Sequence, residues 1–286
     1  MVVQRKWGDN HINKSFKQID RSTWLIGKFV LHRSPSPSDT ATWNDDSDNS
    51  SYTLTPGDAS AVWSIGGNAI CKVRYTEEGV TPESVTLNFV KDRQPSFETP
   101  RVLHHAFDKD RSYLFIQRLQ GRTLDTAWPT LNDYWKTHYM SAVVDACLEM
   151  TQWRSSALGG VDNQYIPEYF LAGPKDDFSV LHSGFESIGM DCSSFVFYHA
   201  DLGPTNIIVE HEPNTGRIGI IDFEISGYFP LGWIRTKFRL SSGMNFSAMA
   251  SDNAIAWRAG IQKMLEAKGF EDYSQAWIKW RGYTES

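Results

Sequence analysis

Four side chains able to handle protons or a metal ion stand at short intervals late in this chain. His199, Asp201 and Asn206 fall in the pattern H-x-D-x-x-x-x-N, and Asp222 follows in I-I-D-F-E. A carboxylate and an amide oxygen are hard donors, the kind that Mg²⁺ prefers. A second carboxylate beside them, Asp201, is placed to accept a proton from a hydroxyl. Taken singly, each has a plain structural reading: a loop Asp capping a turn, an Asn starting a strand, an Asp ending one. As a set they are rarer. From average composition the first pattern occurs in about one chain of this length in a hundred, and the following hairpin and Asp lower that by about tenfold.

The elements around them must bring the two ends of the motif together. Ile207 to Glu210 and Arg217 to Ile221 are rich in β-branched residues and read as strands. Glu212 to Gly216 supplies the turn, with Asn214 and Gly216 able to take positive φ. A hairpin returns on itself, so Asn206 at its start and Asp222 at its end become neighbours. Asp201 lies on the loop just before.

This layout resembles the catalytic stretch of kinases. More closely it is similar to the aminoglycoside phosphotransferase and choline kinase superfamily, in its fungal branch, which reads H-G-D-x-x-x-x-N and then I-D-W/F-E. Here Ala200 replaces the usual glycine and Gly203 stands where histidine is frequent. Neither position carries a catalytic group. The resemblance implies an α+β, bilobal kinase-like fold, with a β-rich nucleotide-covering lobe over 1–118 and a mostly helical catalytic and substrate lobe over 119–286. It implies ATP- and Mg²⁺-dependent transfer of a phosphoryl group to a hydroxyl of a small molecule. Asp201 would be the base and His199 a brace for its loop, with Asn206 and Asp222 as metal ligands. Glu224, two residues on, would serve the metal's surroundings or hold the loop. A kinase fold without phosphotransfer, either a binding module or an enzyme recruited to other chemistry, is the competing expectation.

Upstream, Ala61 to Ile65 and Ala69 to Tyr75 read as strands about Gly66-Gly67-Asn68. No G-x-G-x-x-G occurs, and no A-P-E follows Asp222, which disfavours a protein kinase. Lys72 lies on the second strand and shares a face with Ile70 and Arg74, so alternation alone leaves it either a phosphate clamp or a solvent-facing lysine. The resemblance makes it the clamp, paired with Glu83 and with Glu77 and Glu78 as rivals. A helix starts near there, with Thr81 as N-cap and Pro82 at the first helical position. Ser96 to His105 leads into a strand. Arg111 to Leu119 is another strand, and by resemblance its end, Gln117 to Leu119, is the interlobe hinge whose backbone meets adenine. The sequence QGRTLDTAW then opens a helix.

Elsewhere the sequence predicts support. Residues 1–22 read as a polar arm, Ser22 to Arg33 as one strand, and Ser34 to Tyr52 as a solvated loop. Asn132 to Arg154 is a long helix, because Tyr139, Val143, Ala146, Met150 and Trp153 recur at helical steps. Asp162 to Asp191 reads as a loop-rich acidic insert: a solvated segment, or a rim that steers a cationic, amine-bearing substrate. Phe229 to Leu240 stands in place of a protein kinase's activation segment. Ser251 to Ser286 is helical, with Trp257, Trp277 and Trp280 as packing residues or, alternatively, an aromatic wall for a planar or quaternary-amine substrate.

Composition excludes other classes. Hydrophobic residues make up 41% and charged residues 22% of the 286, an ordinary globular mix. A net charge of −6 gives no nucleic-acid footprint. No apolar run approaches the roughly 20 residues that span a bilayer, so no membrane partner is expected. The first residues lack the apolar stretch of a signal peptide. Cys71, Cys147 and Cys192 are odd in number and have no metal-binding spacing, the pattern of reduced thiols in a cytosolic protein. The sequence does not give the oligomeric state.

Overall fold

The structure, a computed structural model, describes residues 3–8, 16–20, 23–26, 29–32, 60–65, 67–108, 110–171 and 178–282. The fold is α+β and divides into two compact units, 1–77 with 102–118, and 78–101 with 119–286.

The first unit is built on a five-stranded antiparallel sheet in the order β1-β5-β6-β8-β7. Its strands are β1 (Val3–Gly8), β5 (Ser60–Ile65), β6 (Ala69–Tyr75), β7 (Val102–Asp108) and β8 (Arg111–Gln117). A smaller sheet contains β2 (Phe16–Gln18), β3 (Thr23–Ile26) and β4 (Phe29–His32). Ile26 joins Trp63, Cys71, Val73, Tyr113 and Phe115 in one apolar core, and Phe29 packs edge-on against Tyr113 and Phe115. Alternation along β6 sends Cys71 and Val73 into this core and leaves Ile70, Lys72 and Arg74 half-buried on the other face.

Two expectations are corrected here. Residues 1–22 do not form only a polar arm, because β1 pairs with β5 and β2 with β3. The strand expected over Ser22 to Arg33 is instead two antiparallel strands, Thr23–Ile26 and Phe29–His32, with Leu25 opposite Val30. The expected loop over 34–52 lies outside the described residues.

The second unit begins with α1 (Glu83–Asp92), whose N-cap is Pro82 at φ −66°. Thr81, the expected cap, instead donates its hydroxyl to Asp162 Oδ1 at 2.6 Å, and Glu83 takes the first helical position. A split at residue 118 puts this helix in the first lobe, but its packing puts it in the second unit. Val80 bridges Tyr165, Phe89 packs on Trp153, Phe197 and Tyr228, and the backbone of Glu98 bonds to Ile218 and Ile220.

Two three-stranded sheets and a helical layer complete this unit. One sheet has the order β10-β11-β14, from Arg154–Ser155, Phe195–His199 and Ser226–Phe229. The other has the order β13-β12-β9, from Ile218–Ile220, Ile207–Val209 and Arg122–Thr123. Gly121, at φ +127°, admits β9 to this sheet: a Cβ there would lie 2.2 Å from Val209 O. After the short α2 (Leu124–Ala127) comes α3 (Asp133–Met150), capped by Asn132 Oδ1, which accepts the Trp135 N–H at 3.0 Å. Four of the five expected stripe residues, Tyr139, Val143, Ala146 and Met150, are buried on it, but the helix stops at Met150 and Trp153 lies in the turn beyond, half-buried. The remaining helices are α4 (Phe178–Ser187), α5 (Trp233–Leu240), α6 (Ala256–Ala267) and α7 (Ser274–Trp280). Of the expected packing tryptophans, Trp257 is fully buried, whereas Trp280 is partly exposed.

The expected acidic insert is not simply a solvated segment. It contains α4, and Glu168 is fully buried, with both carboxylate oxygens 2.6 Å from Lys237 Nζ on α5. Trp233 Nε1 and the Phe170 N–H also donate to it. An isolated buried charge costs too much to persist, so this glutamate holds the segment to α5 and is no part of an acidic rim. Among the described residues no helix is long and apolar enough to cross a membrane.

Candidate active site

Strand β11 delivers His199 to the end of a sheet, opposite Ser226 of β14. The imidazole is fully buried and has two partners. Nε2 is 3.0 Å from the carbonyl of Ile221, and Nδ1 is 3.3 Å from the amide nitrogen of Asp201. A carbonyl needs a donor and an amide N–H needs an acceptor, so the neutral Nε2–H tautomer satisfies both. One ring thus links the residue preceding Asp222 to the backbone of Asp201. Phe223 packs edge-on against it at 4.8 Å.

The loop after His199 closes on itself. Asn206 Nδ2 donates to the backbone oxygen of Asp201 at 2.8 Å and to its Oδ2 at 3.0 Å. Facing two acceptors, this atom must be the amide nitrogen, which turns Oδ1 of Asn206 toward other partners. Asp201 is half-buried. The two ends of the motif are neighbours, as the hairpin predicts: Ile207 pairs with Ile220, and the Ile221 N–H donates to Asn206 O at 3.0 Å. Within the turn, Glu210 accepts backbone N–H groups from Asn214, Thr215 and Gly216. The Asn214 bond leads in holding its carboxyl down at about 2.

Asp222 stands in the left-handed region, φ 68° and ψ 58°. That conformation is costly for a residue with a Cβ, by about 1–3 kcal/mol, and recurs at functional sites. It starts a short turn in which the Phe223 N–H donates to Glu83 Oε1 at 3.2 Å. Glu83, Asp222 and Glu224 each bring a carboxylate oxygen within 4.8 Å of the others. Three such charges repel unless a cation lies among them. The first turn of α1 also favours the negative charge of Glu83.

The structure thus gathers His199, Asp201, Asn206, Asp222, Glu83 and Glu224 in the second unit. Lys72 and Gln117 belong to the first. Lys72 is on an inner strand, flanked by β5 and β8, and not on an edge. Gln117 ends β8, paired with Ala69, and is exposed. Leu119 belongs to the second unit, where a Cβ on Gly219 would come within 2.6 Å of its Cδ1.

One supporting residue has no forecast in the sequence. The Asp125 N–H donates to Pro204 O at 3.0 Å, while its carboxylate accepts the N–H and hydroxyl of Ser247 at 2.8 and 2.7 Å. The loop holding Asp201 and Asn206 is gripped there and again at Gly203, against Met244. Ser247 lies 122 residues from Asp125, so no local pattern announces the pair.

The chain is similar in fold to solved aminoglycoside phosphotransferases. With APH(3'')-Id from Streptomyces rimosus ATCC10970 the TM-score is 0.49 at 15% identity, over 79% of this chain and 90% of that one. With ADP-bound APH(2'')-Ib it is 0.46 at 14% identity, over 80% and 81%. With a thermostable APH(4)-Ia mutant in a ternary complex with ADP and hygromycin B it is 0.42 at 18%, over 80% and 91%. No protein-family model matches the sequence, and no curated protein matches it. The fungal branch finds no support in these comparisons.

Proposed function

We propose that the chain is a phosphotransferase that uses ATP and Mg²⁺ to phosphorylate a hydroxyl of a small molecule. The observation that carries this reading is the closed network in which His199 and Asn206 aim Asp201 while the same hairpin brings Asp222 beside Asn206. Asn206 Nδ2 occupies Oδ2 of Asp201 and leaves Oδ1 for a substrate hydroxyl, whose proton it accepts. His199 holds the backbone on both sides of the site and takes no part in proton transfer.

The donor set fits a hard cation. Asp222 supplies a carboxylate and Asn206 its amide Oδ1, and these would hold Mg²⁺. Bound Mg²⁺ neutralises charge on the phosphates of ATP, the phosphoryl donor. Glu83 fixes the turn after Asp222 through the Phe223 N–H, Lys72 clamps the phosphates, and the backbone from Gln117 to Leu119 receives adenine. ADP is present in two of the compared phosphotransferase structures, one of which also holds hygromycin B; a nucleotide and a polar small molecule are the ligands proposed here.

The test is a thermal melt with ATP, with and without Mg²⁺, on the wild type and Asp222→Asn. A ligand that binds only the folded state raises the midpoint by mass action. A Mg²⁺-dependent rise that is lost in the variant supports the reading; no rise at millimolar nucleotide overturns it. Asp201→Asn should keep the nucleotide response and lose turnover.

A further inference from the structure

A cavity lies in the second unit, between the start of β11 and the α5–α7 region. Its volume is about 350 Å³, and its lining includes Arg154, Asp191, Val196, Leu231, Glu271 and Tyr273. Pockets that take small ligands run from about 300 to 1,000 Å³, so the space suits a compact metabolite. Val196 is buried beneath it, three residues before His199 on the same strand, or about 10 Å at a strand's rise. Strand alternation sends Val196 and His199 to opposite faces, so the cavity is not the catalytic site.

Its charges are separated. Arg154 forms no ion pair among the described residues, although two carboxylates line the same cavity. Those carboxylates gather instead about Tyr273. Its phenol donates to Glu271, and that bond, with burial and the charges of Glu271 and Asp191, holds the phenol up at about 12. Tyr273 is also fixed in place. Its ring lies against Gly232, where a Cβ would come within 2.5 Å, and its N–H donates to Thr236 Oγ1 at 2.9 Å.

We propose that this cavity binds a small zwitterion of amino-acid size. Its carboxylate or phosphate meets the Arg154 guanidinium, whose planar fork suits such groups, and its ammonium meets Asp191 and Glu271 beside the Tyr273 ring. The proposal is independent of the phosphotransferase reading, because none of these residues belongs to the Asp201–Asp222 network.

The experiment is isothermal titration of the full chain with single probes: glycine, L-glutamate, L-lysine, L-serine and O-phosphoethanolamine. Acetate, inorganic phosphate and ethylamine serve as single-charge controls. The expected result is saturable binding of at least one zwitterion that no single-charge control reproduces. Arg154→Gln and Glu271→Gln, both exposed sites, should each weaken it by about tenfold or more, as loss of a charged contact does. The Mg²⁺–ATP melting response should stay at its wild-type value in both variants. No binding by any zwitterion at about 10 mM, a free energy too small for a built site, overturns the proposal. Binding that both variants leave unchanged overturns it too.

Discussion

Replacing His199 tests the brace at the centre of the site. The ring is fully buried and serves the Ile221 carbonyl and the Asp201 N–H. Phenylalanine keeps an aromatic ring against Phe223 but serves neither, leaving two backbone groups without partners. Each such group costs about 1–3 kcal/mol, so His199→Phe should lose about 2–6 kcal/mol. Glutamine's Nε2 reproduces the donor to Ile221 and forfeits the acceptor, so His199→Gln should lose about half as much. Urea unfolding measures both, since a shift of midpoint at constant slope is a change in stability alone. The Mg²⁺–ATP response should fall in the same order, because Asp201 and the Asp222 turn both lose their anchor. If both variants stay within about 1 kcal/mol of the wild type, the ring is not the brace described here.

Three further outcomes are expected. Lys237→Met leaves Glu168 fully buried without its cation, and should cost about 3–5 kcal/mol in urea unfolding; Glu168→Leu in the same chain should restore a large part of it. Glu210 has a folded-state value of about 2, below its ordinary 4.5, so the order it gives the hairpin turn is complete above pH 4.5 and is lost as pH falls through about 2. Hydrogen exchange at Thr215 and Gly216, corrected for intrinsic rate, should show that window, and protection independent of pH would refute it. Burial raises all three thiols, Cys192 to about 11 and Cys147 to about 12, so at pH 8 a disulfide reagent should titrate Cys192 alone, and slowly, until the chain unfolds.

The sequence alone determined what depends on neighbours a few residues apart. The H-x-D-x-x-x-x-N spacing, the turn over Glu212 to Gly216, the stripe of α3 and the alternation along β6 are local patterns, and hairpin geometry then requires Asn206 and Asp222 to meet. Tertiary structure decided the rest. Glu83 reaches Phe223 across 140 residues, and Lys237 reaches Glu168 across 69. Nothing near Glu168 marks it as buried, because an acidic residue in a polar stretch has the same local pattern whether water or a lysine faces it. Likewise β1 and β2, polar in sequence, are strands only because other strands supply their hydrogen-bond partners. Periodicity and turn chemistry report contacts within one element. Which carboxylates converge, and which cation answers them, depends on contacts between elements far apart in the chain.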